Sequence, residues 1–216
     1  MATTLISILV AYLIGAVPFG LLVARWYGVE DIRKVGSGNT GATNVYRTAG
    51  PKAAAWVFLL DIGKGALPVV AARWLAPEWW PQEVFLMAVV MAAVLGHIFP
   101  AYLKFKGGKG VNTALGGLLV VMPIQILICL VVFLIMTALF RYISLGSISA
   151  AVCLPAVLLI QRFGLNRPVP DVYLYFGIAL ALLVMLTHLE NIGRLITGTE
   201  NRFHLSSSSG KADSHA

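Results

Sequence analysis

VNTALGGLLVVMPIQILICLVVFLIMTALF, residues 111–140, is a thirty-residue apolar run interrupted at Pro123. A helix crosses a bilayer in about 20 residues, so this run is long for one crossing and reads either as one helix or as two elements. Outward from it lie five more apolar segments, roughly residues 4–23, 53–75, 84–103, 143–160 and 172–189. Charged residues make up 12% of the chain and hydrophobic ones 59%, against about 25% charged in an ordinary soluble domain. The chain therefore reads as an integral membrane protein. Hydrocarbon offers nothing to unpaired backbone groups, so the segments must be helices. The expected architecture is all-α, a polytopic transmembrane helical bundle over residues 1–204, with no separate soluble domain. Pro18, Pro68, Pro123 and Pro155 fall inside these segments and predict kinks or breaks.

The basic residues orient the bundle. Arg25, Arg33, Lys34, Arg47 and Lys52 crowd the first loop, and Lys104, Lys106 and Lys109 the third. Arg73 in the second is offset by Glu78 and Glu83. Positive loops stay inside, which puts the first and third loops in the cytoplasm and the N-terminus outside. The net charge of +7 is explained by these loops, and no nucleic-acid partner is inferred. Cys129 and Cys153 sit in apolar runs and read as small buried hydrophobes. The first apolar run lacks a charged leader and a cleavage site of small residues, so it reads as a retained span. Trp79 and Trp80 suit an interfacial belt. Residues 205–216, serine-rich, read as a disordered tail.

One count conflicts. A polar stretch at residues 188–202 belongs on the cytoplasmic face, with the C-terminus, only if an odd number of crossings precedes it, yet six segments are visible. Either the segment at 172–189, containing Gly177, enters and returns, or the run at 111–140 is two elements. The expectation is five full crossings or seven helices, some short or re-entrant.

Two glycine-rich stretches interrupt the apolar pattern. Gly36-Ser37-Gly38-Asn39-Thr40-Gly41-Ala42-Thr43-Asn44-Val45-Tyr46-Arg47 fits the spacing of a dinucleotide fingerprint, but that motif needs a strand before it, and here it lies between membrane helices. What survives is the general physics: glycine lets backbone N–H groups converge on an anion. The alternative, glycines serving only as turns, leaves the polar residues between Ser37 and Arg47 unexplained. Phe105-Lys106-Gly107-Gly108-Lys109-Gly110 is not a P-loop, since Val111 stands where Ser or Thr is required. Its lysines suit a phosphate; a positive-inside anchor would explain them but not the three glycines. Asp61 and Lys64, three apart inside an apolar span, share a helix face. They are either functional or a self-neutralising pair that fixes packing.

His97 and His188 each stand at the mouth of a polar stretch and are candidates for a general base or a phosphate ligand. Neither has an Asp five positions on, so neither forms the His-x-x-x-x-Asp pair of many acyltransferases that use coenzyme A or acyl carrier protein. No His, Asp and Glu set has metal-ligand spacing, so no metal is inferred. Ser144 and Ser147, between two apolar runs, serve a site only if that segment reaches the cytoplasmic face.

Taken together, three stretches resemble the signatures of the bacterial acyl-phosphate:glycerol-3-phosphate acyltransferases. The first is Gly36-Ser37-Gly38-Asn39-x-Gly41-x-Thr43-Asn44-x-x-Arg47. The second is Gly96-His97-x-x-Pro100, running on to Gly110. The third is His188-x-x-Asn191-x-x-Arg194-Leu195-x-x-Gly198-x-Glu200. Asp61-x-x-Lys64-Gly65 and Arg141-Tyr142-x-Ser144-Leu145 also fit. The resemblance covers nearly the whole chain.

The resemblance implies transfer of a long-chain acyl group from acyl phosphate to the sn-1 hydroxyl of glycerol 3-phosphate. The products are lysophosphatidic acid and phosphate, in the first acylation of phospholipid synthesis. It implies a multi-pass protein of the bacterial inner membrane with a cytoplasmic site, supplied by a separate soluble acyl-phosphate synthase. An acyl phosphate carries its own leaving group, so the chemistry needs no cofactor in principle. On this reading Ser37, Gly38, Asn39, Thr43, Asn44 and Arg47 bind phosphate and orient substrate. Lys104, Lys106 and Lys109, with the amides of Gly107, Gly108 and Gly110, hold the other phosphate or the oxyanion. Lys64 and Ser144 assist in binding, and Asn191 and Arg194 close the site. His97 is the first choice of base, His188 the second, and a substrate phosphate oxygen a third. A small organic-phosphate transporter is the competing reading; the absence of an internal repeat counts against it.

Overall fold

Proline and glycine punctuate a chain that is otherwise helical. The computed structural model describes residues 1–203; the serine-rich stretch 205–216 lies outside the described residues. Among the described residues nine α-helices follow in order: α1 (Ala2–Gly15), α2 (Phe19–Trp26), α3 (Ala42–Trp74), α4 (Gln82–Ile98), α5 (Val111–Val121), α6 (Pro123–Phe140), α7 (Ile143–Leu159), α8 (Asp171–Thr187) and α9 (Leu189–Ile196). Short 3-10 turns cover Ile32–Lys34 and Ala101–Leu103, and a π turn extends α7 through Gly164. Among the described residues there is no strand.

Five units are long and apolar enough to cross a bilayer: Ala2–Trp26, Ala42–Trp74, Gln82–Leu103, Pro123–Phe140 and Ile143–Gly164. The α8–α9 pair is bent by 64° and makes a sixth if taken as one span, while α5 is shorter. These five candidate spans agree with the first of the two expected counts, and adding α5 and α8 gives the seven apolar helices of the second. The run at 111–140 is indeed two elements. Met122 leaves helical geometry and Pro123 opens α6 at its first position, where a missing N–H costs nothing. Gly177 does not interrupt α8. Of the other prolines, Pro18 separates α1 from α2, whereas Pro68 and Pro155 sit inside continuous helices. The sharp break in α3 is at Gly50, whose φ of 85° suits glycine.

Small residues let helices cross at backbone distance, as membrane packing requires. A Cβ on Gly65 of α3 would lie 2.0 Å from the Thr113 carbonyl oxygen of α5, and one on Gly116 of α5 would lie 2.0 Å from that of Ile62. Gly15 and Gly96 do the same for α1 and α4. Helix α4 is the most enclosed, carrying buried Phe85, Val89, Val90 and Val94. At the C-terminal end of the short α5, Arg73 donates to the Val120 carbonyl and satisfies one of its orphan acceptors. Its other end opens onto the site. Cys129 is buried and Cys153 half-buried, both as free thiols.

Candidate active site

Asn44 organises the first glycine-rich loop. Its side-chain oxygen accepts from the Ser37 amide at 2.8 Å, and its Nδ2 lies 2.9–3.1 Å from the carbonyls of Ile32, Val35 and Asn39. Two N–H bonds shared among three carbonyls leave no donor for an anion. Gly36 and Gly38 are left-handed turns, and a Cβ on Gly36 would sit 2.2 Å from the Asn44 oxygen. Asn44 lines the cavity as expected of a site residue, but its side-chain hydrogen bonds are spent on shaping the loop. Gly38 does not line the cavity, and its amide is bonded to Val35. The result is that Ser37 and Asn39 of the loop, and Thr43 and Arg47 of the first two turns of α3, line the cavity.

The second loop is corrected more heavily. Gly107 and Gly108 donate their amides to the carbonyls of Ile98 and His97, both at 3.1 Å, so those amides are not free for a phosphate. Glycine is needed here for close approach: a Cβ on Gly107 would lie 2.1 Å from the His97 carbonyl oxygen, and one on Gly108 would lie 2.2 Å from His97 Nε2. Lys104 and Lys106 are exposed and outside the cavity, and only Lys109 and Gly110 of this set line it. A lysine's register within a tight turn decides which way it faces, and spacing alone does not reveal it. Lys64 also lies outside the main cavity, paired with Asp61 at 2.8 Å.

Glu200 gathers the third stretch. Its carboxylate accepts from Ser144 Oγ at 2.9 Å, Asn191 Nδ2 at 2.7 Å and Arg194 Nε at 2.8 Å. Asn191 Oδ1 in turn accepts from Lys109. Burial works to raise the Glu200 pKa, but the donors from Arg194, Asn191 and Ser144 outweigh it and hold the carboxyl below its usual value. Arg47 reaches the Asn201 carbonyl at 3.4 Å, and Tyr46 packs on Phe203. Glu200 was visible as part of the third stretch, but nothing in its spacing marked it as the hub.

These three stretches enclose a cavity of about 440 Å³. Of the expected residues, Ser37, Asn39, Thr43, Asn44, Arg47, His97, Lys109, Gly110, Ser144, His188, Asn191 and Arg194 line it. Ser147, named with Ser144 as a conditional candidate, lines it too, and Asn112, Glu190 and Phe203 join them without having been singled out. First-turn residues of four helices are in the wall: Ala42 and Thr43 of α3, Val111 and Asn112 of α5, Ile143 and Ser144 of α7, Glu190 and Asn191 of α9. Helix N-termini carry unpaired N–H groups and partial positive charge, so the cavity is suited to anions. Arg47, Lys109 and Arg194 add full charges. Burial lowers the Lys109 pKa to about 8, with Glu200 pulling it up and Arg194 pushing it further down. One flank is apolar, formed by Ala54, Ala55 and Phe58 of α3 with Phe133 of α6.

The two histidines differ. His188 Nδ1 lies 2.8 Å from the Val184 carbonyl; a carbonyl only accepts, so Nδ1 carries the proton and the neutral ring keeps its lone pair on Nε2. His97 is buried, with Nδ1 3.0 Å from the Thr113 hydroxyl and its Nε2 edge against Gly108. Among the described residues no three of His, Cys, Asp and Glu lie together as a metal-ligand set.

Known proteins are similar to this chain over nearly its whole length. The family model described as Glycerol-3-phosphate acyltransferase matches residues 5–198. The glycerol-3-phosphate acyltransferase of Geobacter sulfurreducens is 47% identical over 206 residues, covering 94% of this chain and 99% of the relative. That of Syntrophotalea carbinolica is 45% identical over 203 residues, with the same coverage. Among solved structures, the glycerol 3-phosphate form of PlsY (YgiH), an integral membrane glycerol 3-phosphate acyltransferase, is 39% identical with a TM-score of 0.83, covering 93% of this chain and 96% of that one. Its lysophosphatidic acid form gives 38% and 0.81, with coverage of 93% and 95%. By sequence over nearly its whole length and by fold, the chain belongs to the glycerol-3-phosphate acyltransferase family of integral membrane acyltransferases.

Proposed function

We propose that this protein transfers a long-chain acyl group from acyl phosphate to the sn-1 hydroxyl of glycerol 3-phosphate, releasing lysophosphatidic acid and inorganic phosphate. The observation that carries the reading is the single cavity in which four helix N-terminal turns, Arg47, Lys109 and Arg194 face an apolar flank. Both substrates bear a phosphate and one bears an acyl chain, whose burial is worth about 0.8 kcal/mol per CH₂. The glycerol hydroxyl attacks the acyl carbon; the carbonyl becomes an oxyanion and then re-forms as the C–O bond to phosphate breaks. The ester keeps the glycerol oxygen, and the hydroxyl proton leaves on a base. Positioning and electrostatic stabilisation carry most of the acceleration. His188, with its free Nε2 at the cavity, fits the base role better than His97, which is wedged between Thr113 and Gly108. A phosphate oxygen of substrate fills the same role if His188→Gln stays active.

The positive loops favour a site on the cytoplasmic face of the bacterial inner membrane, with the N-terminus outside and the C-terminus cytoplasmic. A soluble acyl-phosphate synthase would deliver the donor there. The test uses detergent-purified protein with glycerol 3-phosphate and either palmitoyl phosphate or palmitoyl-coenzyme A, without added metal. Equimolar phosphate and 1-acyl product from palmitoyl phosphate alone is the expected result. Turnover from the thioester alone would overturn the donor assignment, and a 2-acyl product would overturn the position.

A further inference from the structure

A buried chain of polar contacts runs behind the cavity and joins its floor to the second loop. Asp61 and Lys64 of α3 are paired at 2.8 Å, each side chain almost fully buried. Lys64 also donates to the Val17 carbonyl at 3.0 Å, an acceptor released where Pro18 breaks α1 from α2. On the other side, Asp61 Oδ1 lies 3.8 Å from His97 Nδ1, which is hydrogen-bonded to Thr113 at 3.0 Å. The His97 carbonyl accepts from the Gly108 amide, and its ring edge occupies the space a side chain at 108 would need. His97 therefore grips the chain on both sides of Lys109, at Gly108 before it and at Thr113 after it. Asp61 also reaches the wall of the main cavity, where an unpaired carboxylate would repel phosphates.

We propose that Asp61 and Lys64 are positioning residues for acyl transfer, acting through His97 to hold Lys109 and the first turn of α5 against the cavity. The pair has two tasks. Lys64 cancels a carboxylate that would oppose anion binding, and the carboxylate keeps the His97 ring turned towards Thr113. Two buried charges replaced together by neutral groups of similar volume leave stability little changed, whereas removing one strands the other. That asymmetry separates positioning from simple folding. The inference rests on the proposed role of Lys109 in holding substrate.

The experiment is a double-mutant cycle between Lys109→Gln and the neutral pair Asp61→Asn/Lys64→Met, with kcat/KM measured for glycerol 3-phosphate acylation and Tm measured in detergent. The neutral pair is expected to keep a Tm near that of the parent and to lose about ten-fold in kcat/KM, while on the Lys109→Gln background the same change costs less than about two-fold. Equal losses on both backgrounds, or no loss on either, overturn the proposal. A Lys109→Gln protein with parental activity instead overturns the role of Lys109 itself, and the inference falls with it. If the neutral pair does not yield monodisperse protein, Thr113→Val, which removes the His97 bond on the α5 side without touching a charge, is read in the same cycle with the same outcomes.

Discussion

Asp61 and Glu200 are two carboxylates in the wall of a cavity suited to anions, and they are neutralised in different ways. Glu200 is on the polar side, where three side-chain donors from α7 and α9 converge on it. Asp61 is deep in α3, matched to one lysine on its own helix face. Glu200 orders residues that themselves line the cavity. Asp61 also touches the cavity wall, but its partner, Lys64, lies outside the cavity. The difference teaches that negative charge is tolerated in an anion site when it is spent on aiming donors, and that the number of donors it aims sets the cost of losing it.

The largest expected effect breaks the Glu200 side. Glu200→Ala removes the acceptor shared by Ser144, Asn191 and Arg194. Losing hydrogen bonds to a charged group costs about 2 kcal/mol, so steady-state kinetics should show kcat/KM down by roughly thirty-fold or more. Glu200→Gln keeps an acceptor oxygen and should lose less. Equal activity of the alanine variant and the parent would mean that the hub aims nothing that matters.

The next effect probes the Asp61 side. Gly108→Ala places a methyl group 2.2 Å from His97 Nε2, and relief requires moving the loop or the ring. Overpacking of this kind costs about 2 kcal/mol, or roughly thirty-fold if it is expressed in kcat/KM. His97→Ala/Gly108→Ala should recover part of that loss relative to Gly108→Ala alone, since the collision is gone. A double variant no better than the single would place the damage elsewhere.

Lys109 lies between the two hubs, and its pH behaviour sharpens the contrast. Its pKa is lowered to about 8, mainly by burial. The ammonium is charged below that value and neutral above it, so anion binding should weaken as pH rises through 8. In a pH profile, kcat/KM for the phosphate substrate should fall with an apparent pKa near 8, because kcat/KM reports the free enzyme. Lys109→Arg should carry the plateau to higher pH. The smallest effect is at Lys104 and Lys106, exposed and outside the cavity. Exposed substitutions change energies by about 0.5 kcal/mol or less, so each glutamine variant should keep kcat/KM within about two-fold of the parent.

Hydropathy made the helical segments legible because a bilayer imposes both length and composition on them. It did not choose between one helix and two over residues 111–140, since both halves are apolar and the decision rests on how Pro123 is accommodated. The Asp61–Lys64 pair was legible from its three-residue spacing, but not its reach to Val17 and His97, which depends on the α1–α2 break and on where α4 crosses. Asn44 and Arg47 are polar neighbours in one sequence stretch; only the folded backbone reveals that the side-chain donors of the first are taken by the carbonyls of Ile32, Val35 and Asn39. In the second loop the lysines look alike as sequence. The turn at Lys104 and Phe105, both left-handed, leaves Lys104 and Lys106 exposed while Lys109 lines the cavity.

The most direct test is a crystal structure of this protein with glycerol 3-phosphate bound. The phosphate is expected inside the 440 Å³ cavity, within hydrogen-bond distance of Arg47 or Lys109, with a glycerol hydroxyl towards His188. A phosphate held at the surface by Lys104 and Lys106, with the cavity unengaged, would contradict it.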